Sequence, residues 1–399
     1  MQTLNYNILM ESGYHGYILK NAPEKVMQFG EGNFLRAFVN YWFDISNEKA
    51  GWNGKCVLIQ PIAQGLTDLI NKQEGLYTLY LRGTENGKKV DRKRVISSVS
   101  RCLNPYTEDG YAQMMALAVS DDLEYVVSNT TEAGIVYDPA CELTDKPCSS
   151  FPGKLTQVLY ARYKAGKSGL VILSCELIDN NGKELQKCVN QYINQWKLED
   201  GFKTYINEKC TFCSTLVDRI VPGRIRDAAE VARLEEENGY ADPLTDVGEV
   251  FGVWNIEGPA WLEDKLPFKK AGVNCIVVPD VTPYKKRKVR ILNGAHTGMV
   301  NGIGAIFLVG EDQVLLLGVN GLGNILPEHI DIGALEQILH DLHVVVVKSG
   351  SVLGRVDGEG QFLCALLVDD GSGGIGPLEA VVGNQRVDAG GTGGGDLGI

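Results

Sequence analysis

Three side chains that suit acid–base chemistry lie close together near residue 290. Lys288, Asn293 and His296 fall within Lys285–His296, a stretch that we predict to be helical. One broad helix face can present all three. The set suits carbonyl reduction. Lys288 can supply the proton if burial and its basic neighbours lower its pKa, and Asn293 and His296 can donate hydrogen bonds to the oxygen. From spacing alone, however, a solvated basic face with a capping Asn and a structural His is the better interpretation.

A glycine-containing turn is the second candidate site. Gly30 and Gly32 follow an apolar run and precede a helical pattern that begins near Asn33 and Phe34. In a dinucleotide fingerprint, the first Gly makes the tight turn, and the second lets backbone amides approach a pyrophosphate at the positive end of the helix. Leu35 replaces the usual third Gly. A plain strand-to-helix turn explains these residues about as well as a dinucleotide-binding turn does.

Two further segments complete the predicted cofactor site. Gln60 stands where an acidic residue is expected at the end of the second strand, and it could bond a ribose hydroxyl. No Arg follows closely to receive a 2′-phosphate, which favours NAD over NADP. Asn129, Thr130 and Glu132 follow the run EYVVS and suit the nicotinamide half of the cofactor. A polar loop with a helix cap explains this segment equally well.

The elements that must position these residues alternate between strands and helices. Such alternation predicts an α/β protein with a parallel, doubly wound sheet that binds ligands at the carboxyl ends of its strands. The predicted strands are Lys25–Phe29, Lys55–Ile59, Glu124–Ser128 and Gly169–Ser174, and the clearest helices are Phe34–Ile45, Leu155–Lys164 and Leu185–Trp196.

The length of 399 residues and a change in composition indicate two domains. We place a dinucleotide-binding domain at residues 1–250 and a substrate and catalytic domain at 251–399. Beyond Thr297 the chain has one Lys, two Arg and no Tyr or Trp, and it is rich in Gly. We interpret residues 298–399 as atypical, either disordered or a frameshifted or fused continuation, with strands at best at Val344–Val347 and Leu363–Val368.

Charge and cysteine usage narrow the class of protein. The net charge of −12 argues against a nucleic-acid surface, although a locally basic site can still attract an anionic small molecule. The sequence contains neither an apolar run of membrane-spanning length nor a signal-peptide pattern, so we expect a cytoplasmic protein. The ten Cys have no framework spacing, and we expect them to be reduced and mostly buried. The CxxC at Cys210 and Cys213 has no partner pair, so we predict no metal site.

One more charged pair stands in the segment Val217–Ile220. Asp218 and Arg219 are read most simply as a buried pair that holds a loop.

Taken together, five segments resemble the polyol-specific long-chain dehydrogenase family, which includes the mannitol dehydrogenases. They are FGEGNFLRAF (29–38), SNTTEAGI (128–135), SCELIDNNG (174–182), FCSTLVDRIVPG (212–223) and PYKKRKVRILNGAHT (283–297). The resemblance covers residues from about 20 to 297 and is strongest to the branch that interconverts D-tagaturonate and D-altronate.

The resemblance implies a Rossmann-like domain, a largely helical second domain, NAD as cofactor and zinc-independent hydride transfer to a sugar acid. It implies that Lys288 is the general acid/base, with Asn293 and His296 beside it and Asp218 near the active site. Leu177 departs from the mannitol dehydrogenases, which carry Asn there, and this argues against mannitol and fructuronate as the rival substrates. No match to the helical second domain follows Thr297, so an inactive, truncated cofactor-binding protein is the rival of another class. The oligomeric state stays open.

Overall fold

The structure is a computed structural model that describes residues 1–85, 87–131 and 133–288, with the backbone of seven strands between residues 305 and 388. The chain divides into two compact units, Met1–Val281 and Thr282–Ile399. In the described part of the chain, no helix has both the length and the apolar character needed to cross a membrane.

Eleven strands are described in the first unit. In chain order they are β1 (Glu24–Phe29), β2 (Lys55–Ile59), β3 (Tyr77–Glu85), β4 (Lys88–Ile96), β5 (Val99–Leu103), β6 (Tyr125–Ser128), β7 (Val171–Ser174), β8 (Thr211–Asp218), β9 (Asp246–Glu249), β10 (Val253–Glu257) and β11 (Cys275–Val278).

Eight of these strands form one sheet in the order β11-β10-β8-β7-β6-β1-β2-β5. The six from β5 to β8 are parallel, β10 runs antiparallel to β8, and β11 is parallel to β10. The chain therefore moves outwards from β1 to β5, returns to the centre at β6 and moves outwards again. The point where the direction reverses lies between β1 and β6, and such a point is where doubly wound sheets bind their ligands.

Eleven helices are described in the first unit, and most of them flank this sheet. Their bounds are α1 (Tyr6–Glu11), α2 (Asn33–Leu35), α3 (Tyr41–Ala50), α4 (Thr67–Lys72), α5 (Glu108–Ala118), α6 (Phe151–Lys164), α7 (Asn181–Gln195), α8 (Asp200–Thr204), α9 (Ala228–Asn238), α10 (Trp261–Lys265) and α11 (Phe268–Ala271). π-Helical turns at Arg36–Asn40 and Tyr205–Lys209 continue α2 into α3 and follow α8.

Each face of the sheet has its own apolar core, because successive side chains of a strand point to opposite faces. Val26 of β1 packs in the core that contains Phe43 of α3. Met27, its neighbour, packs in the core that contains Leu155 of α6 and Leu185 of α7. This division explains why β1, β2, β6 and β7 read as continuous apolar runs rather than alternating ones.

A smaller sheet in the order β4-β3-β9 borders the first one. β3 and β4 form an antiparallel hairpin, and β9 lies parallel to β3. The buried carboxylate of Asp242 accepts hydrogen bonds from the amide of Thr78 at 2.6 Å and from Nε2 of Gln73 at 2.8 Å. These bonds fix the segment between α9 and β9, which approaches the glycine turn.

The four predicted strands and the three predicted helices of the parallel sheet are confirmed. Two of the helices start four residues earlier than predicted, and the first runs through the π-helical turn and ends at Ala50. The boundary that we predict at residue 250 stays a prediction. The large sheet continues beyond that residue with β10 and β11, and the first compact unit extends to Val281.

The second unit begins with helix α12 (Thr282–Lys288), so the helix predicted for Lys285–His296 is described only as far as Lys288. Its described strands form a pair and a separate antiparallel sheet of five, and they confirm short strands near residues 345 and 363. Residues 390–399 lie outside the described residues. The strands are β12 (Ala305–Leu308), β13 (Val314–Leu317), β14 (Val345–Val347), β15 (Val352–Val356), β16 (Phe362–Leu366), β17 (Glu379–Val382) and β18 (Gln385–Asp388).

Candidate active site

The strand ends that carry the predicted cofactor residues are level with one another. Phe29, the last residue of β1, pairs with Ile59 of β2 on one side and with Ser128 of β6 on the other. The residues that leave the sheet next are therefore neighbours, namely Gly30, Gln60 and Asn129. Two of the three predicted segments, the glycine turn and Asn129–Thr130, meet at the reversal point between β1 and β6.

Gly30 has a backbone conformation that favours glycine, and it passes very close to the next strand. Its φ is +116°, and a Cβ at this position would lie 2.9 Å from the carbonyl oxygen of Asn129. Its amide donates to the carbonyl of Ile59 at 3.0 Å. Gly32 differs, because its φ is −68° and a Cβ would have no atom within 4 Å. The space beside Gly32, at the start of the helical segment, is therefore open to a ligand.

The buried side chain of Arg36 holds the first helical turn in place. Its guanidinium donates to the carbonyl of Leu244 at 2.6 Å and to Oδ1 of Asn33 at 2.5 Å. A carboxylate oxygen of Asp246 lies 3.8 Å from the same guanidinium, and both side chains are almost fully buried. Phe34 is half-buried and stacks on Phe38, with ring centroids 5.3 Å apart. Asn33 and Phe34 thus line the turn, and the side chain of Asn33 is oriented by the guanidinium of Arg36.

Burial has the largest effect on the pKa of Asp246 in that pair. It raises the pKa of the Asp246 carboxyl to about 7, although the positive charge of Arg36 and the amide of Val247 act in the opposite direction. The folded protein therefore keeps a proton on this carboxyl at pH values where an unfolded chain has released it.

Gln60 is engaged within its own loop. Its Nε2 donates to the carbonyl of Ile62 at 2.8 Å, and its Oε1 accepts from the hydroxyl of Thr67 at 2.8 Å. The residue is almost fully buried. These bonds shape the loop that follows β2, and the ribose contact that we predict for Gln60 stays a prediction.

Asn129 and Thr130 are held by the neighbouring strand end. Asn129 donates through Nδ2 to the carbonyl of Cys175 at 3.2 Å. The amide and the hydroxyl of Thr130 both donate to Oε1 of Glu176 at 3.1 Å, and Ser128 donates to Oε2 at 3.2 Å. Glu176 is buried, and its burial raises the pKa of the carboxyl above its ordinary value even though three groups donate to it.

Glu176 was not among the residues predicted from the sequence, and neither was Gln28. The side chain of Gln28 donates through Nε2 to the carbonyl of Gly30 at 2.9 Å, and its Oε1 accepts from Nδ2 of Asn40 at 2.9 Å. One signal was available, because Glu176 follows β7 at the same edge of the sheet as the other candidates. A polar residue within a buried strand, such as Gln28, is a comparable signal.

Arg219 ties the end of β8 to the helical segment after the glycine turn. Its guanidinium donates to the carbonyl oxygens of Ala37 at 2.7 Å and of Phe251 at 3.0 Å. It also lies over the ring of Tyr41, 5.0 Å from the centroid. Asp218 is the last residue of β8 and is half-buried, and its place near the active site stays a prediction.

The predicted reaction centre is described only in part. Lys288 is half-buried and is the last residue of α12, and burial lowers the pKa of the nearby Lys285 amine. Asn293 and His296, like Glu132 of the cofactor site, lie outside the described residues.

The parallel strand order and the glycine turn at the reversal point define a doubly wound α/β domain of the dinucleotide-binding type. The chain belongs to the mannitol dehydrogenase family, since residues 24–270 match the profile described as the mannitol dehydrogenase Rossmann domain.

Several relatives share much of the sequence. The altronate oxidoreductase of Bacillus subtilis (strain 168) is 45% identical over 303 residues, which cover 75% of this chain and 61% of that protein. The altronate oxidoreductase of Phocaeicola vulgatus is 46% identical over 279 residues, or 69% and 57% of the two chains. That of Cronobacter sakazakii is 41% identical over 324 residues, or 80% and 64%. The chain spans about three fifths of the length of these relatives.

Two solved structures share the fold. The ternary complex of Pseudomonas fluorescens mannitol 2-dehydrogenase with NAD and D-mannitol has a TM-score of 0.60 at 24% identity, covering 76% of this chain and 64% of that one. A substrate-free D-sorbitol dehydrogenase has a TM-score of 0.61 at 21% identity with the same coverages. At these identities the likeness shows the fold.

The close approach at Gly30 predicts a difference between the two glycines of the turn. Gly30→Ala should lower the free energy of unfolding by about 1–3 kcal/mol, because the methyl group meets the carbonyl of Asn129 in a strained backbone conformation. Gly32→Ala should change it by less than about 0.5 kcal/mol, because the space there is open. Urea unfolding of both variants measures the difference, and equal midpoints would contradict the structure.

The raised pKa of Asp246 predicts a pH-dependent stability. A raised folded-state pKa gives stability that is present below the unfolded value, about 4, and is lost as the pH rises through about 7. The stability of the wild type relative to Asp246→Asn should therefore fall between these pH values. The exposed Asp122→Asn variant is the control, and its difference from the wild type should not follow this course. Urea midpoints across the range decide, and a constant difference for Asp246→Asn would refute the assignment.

Proposed function

We propose that this chain is an NAD-dependent oxidoreductase that interconverts D-tagaturonate and D-altronate. The observation that carries the proposal is the identity of 41–46% to altronate oxidoreductases over 279–324 residues. The chain spans only part of the length of those relatives, so the activity and the substrate are proposals for this chain.

The carboxyl edge of the sheet supports the cofactor part of the proposal. The open space beside Gly32 lies at the start of a helical segment, where backbone amides and the helix dipole favour the pyrophosphate of a dinucleotide. Asn33, Phe34, Asn129, Thr130 and Glu132 are the proposed contacts around it, with Gln60 near the ribose. No Lys or Arg occurs between Gln60 and Lys72, and this favours NAD over NADP.

In the proposed reaction, bound NAD supplies the hydride chemistry, and the chain handles the proton and the developing charge. Lys288 gives a proton to the carbonyl oxygen of the keto acid during reduction and takes it back during oxidation. Asn293 and His296 donate hydrogen bonds to the same oxygen, and Asp218 is the further residue that we propose for the active site. Lys285 or Arg287 attracts the substrate carboxylate through its positive charge.

Leu177 favours a sugar acid over mannitol as the substrate. It follows Glu176 at the carboxyl edge and is 64% exposed in the described structure, although it is a large apolar residue. It cannot donate a hydrogen bond to a substrate oxygen, as the Asn at this position of the mannitol dehydrogenases would.

The substrate assignment is tested by measuring NADH oxidation with D-tagaturonate, D-fructuronate and D-fructose side by side. We expect loss of NADH with tagaturonate at a rate at least tenfold, or about 1.4 kcal/mol in transition-state free energy, above that with the other two. A preference for fructuronate or fructose would reject the substrate. NADH binding without turnover of any of the three would favour the inactive cofactor-binding protein that the unusual composition after Thr297 suggests.

The role of Lys288 is tested by substitution. Lys288→Ala should lower kcat by roughly 10²–10⁴-fold, because it removes the proton donor, and should leave the Kd for NADH nearly unchanged. Lys270→Ala removes the same charge from an exposed lysine outside the basic run and is the matched control, expected to keep kcat within a few-fold. Near-normal turnover in Lys288→Ala would remove the assignment.

A further inference from the structure

The connection between β6 and α6 contains a compact group of metal-binding side chains. The Sγ atoms of Cys141 and Cys148 and a carboxylate oxygen of Asp145 all lie within 4.8 Å of one another. Both cysteines are free and almost fully buried, and the aspartate is half-buried. In the described residues this is the one group of three or more such side chains.

The loop that carries the group is held in place by hydrogen bonds from α6 and from the residue that follows α7. Gln157 of α6 donates to the carbonyl oxygens of Leu143 at 3.1 Å and of Asp145 at 2.7 Å. The indole of Trp196, which follows α7, donates to the carbonyl of Cys141 at 3.0 Å. Oδ2 of the aspartate accepts from the amide of Glu142 at 2.8 Å. A ligand that binds here therefore meets side chains that are already ordered.

Two serine hydroxyls lie beside the sulfur of Cys141. The hydroxyl of Ser149 lies 3.1 Å from its Sγ, and the thiol donates to the hydroxyl oxygen of Ser150 at 3.6 Å. These contacts fix the orientation of the Cys141 side chain within the cluster. Thiolates are the form in which cysteines bind metal ions.

We propose that Cys141, Asp145 and Cys148 bind one thiophilic divalent cation of the zinc class. In a tetrahedral zinc site with Zn–S bonds of about 2.3 Å, two sulfur atoms stand about 3.8 Å apart, a separation compatible with the observed cluster. Two thiolates and one carboxylate suit zinc, whereas magnesium and calcium prefer six or more oxygen atoms. As the two Zn–S bonds form, each thiol loses its proton to solvent, and a water molecule completes the coordination.

A disulfide between the two cysteines is the competing chemistry. It requires an S–S distance of about 2.05 Å and an external oxidant. Sγ of Cys148 instead donates to the carbonyl of Glu142 at 3.3 Å, which holds the thiol in its reduced orientation. The observed geometry favours the cation.

The proposed site is structural and does not depend on the proposed reaction. Ser150, which contacts Cys141, also caps α6 by accepting from the amide of Gly153 at 3.0 Å. The next residue, Phe151, packs against Phe29 with ring centroids 4.9 Å apart. A bound cation would thus stabilise the start of α6, which packs against the end of β1 just before the glycine turn.

The test uses the full chain, reduced and treated with a chelator, and then incubated with Zn²⁺ or Mg²⁺ and desalted. Zinc per chain is measured by mass spectrometry, affinity by competition with a chromogenic chelator, and thiolate ligation by the ultraviolet absorption of the Cd²⁺ form. We expect one zinc ion more per chain in the wild type than in Cys148→Ser, a charge-transfer band that the variant lacks, and no retention of Mg²⁺.

Two further variants keep the result interpretable. Cys275→Ser removes another buried thiol outside the cluster and should keep the zinc content and affinity of the wild type. Asp145→Asn changes no volume and should lower the zinc affinity at least about tenfold without loss of fold. Equal zinc content and affinity in the wild type, Cys148→Ser and Asp145→Asn would overturn the proposal. So would a reduced wild-type chain that retains no zinc.

Discussion

The parallel register of β1 with its two neighbours is the constraint on which the candidate site depends. Phe29 is level with Ile59 on one side and with Ser128 on the other, so three strand ends open at one edge. The chain leaves β1 so close to the end of β6 that a side chain at Gly30 would meet a carbonyl oxygen at 2.9 Å. Only glycine fits there without displacement, and the turn that it makes leaves the space beside Gly32 open. A ligand that needs backbone amides can approach the sheet at this point.

Buried polar side chains then fix the segments around this opening before any ligand arrives. Gln28 bonds the carbonyl of the glycine turn from within β1, and Glu176 accepts both polar hydrogens of Thr130 from the end of β7. Arg36 and Arg219 attach the helical segment to the smaller sheet and to the segments around β8 and β9. Each of these groups is costly to bury alone, and each finds its partner on a different element. The site is therefore ordered by hydrogen bonds between elements far apart in sequence, together with local bonds such as those of Gln60 within its own loop.

This difference explains what could be predicted from the sequence. Apolar runs such as KCVLI and the glycine turn are local patterns, and they predicted the strands, the doubly wound sheet and the position of Gly30 at its edge. The partners of Glu176 and Arg36 could not be predicted, because they are set by register and by contacts between residues far apart in sequence. The hairpin of β3 and β4 was missed because its outer strand is mostly exposed and charged. The roles of Lys288, Asn293 and His296 still rest on the resemblance to the family.

The most direct test of the central claim is hydrogen exchange of the backbone amides with and without saturating NADH. We predict slower exchange in residues 32–36 and 129–131, the two segments that border the opening between β1 and β6, and unchanged exchange in the hairpin of β3 and β4. Unchanged exchange in both segments, in a protein that demonstrably binds NADH, would contradict the placement of the cofactor at this edge.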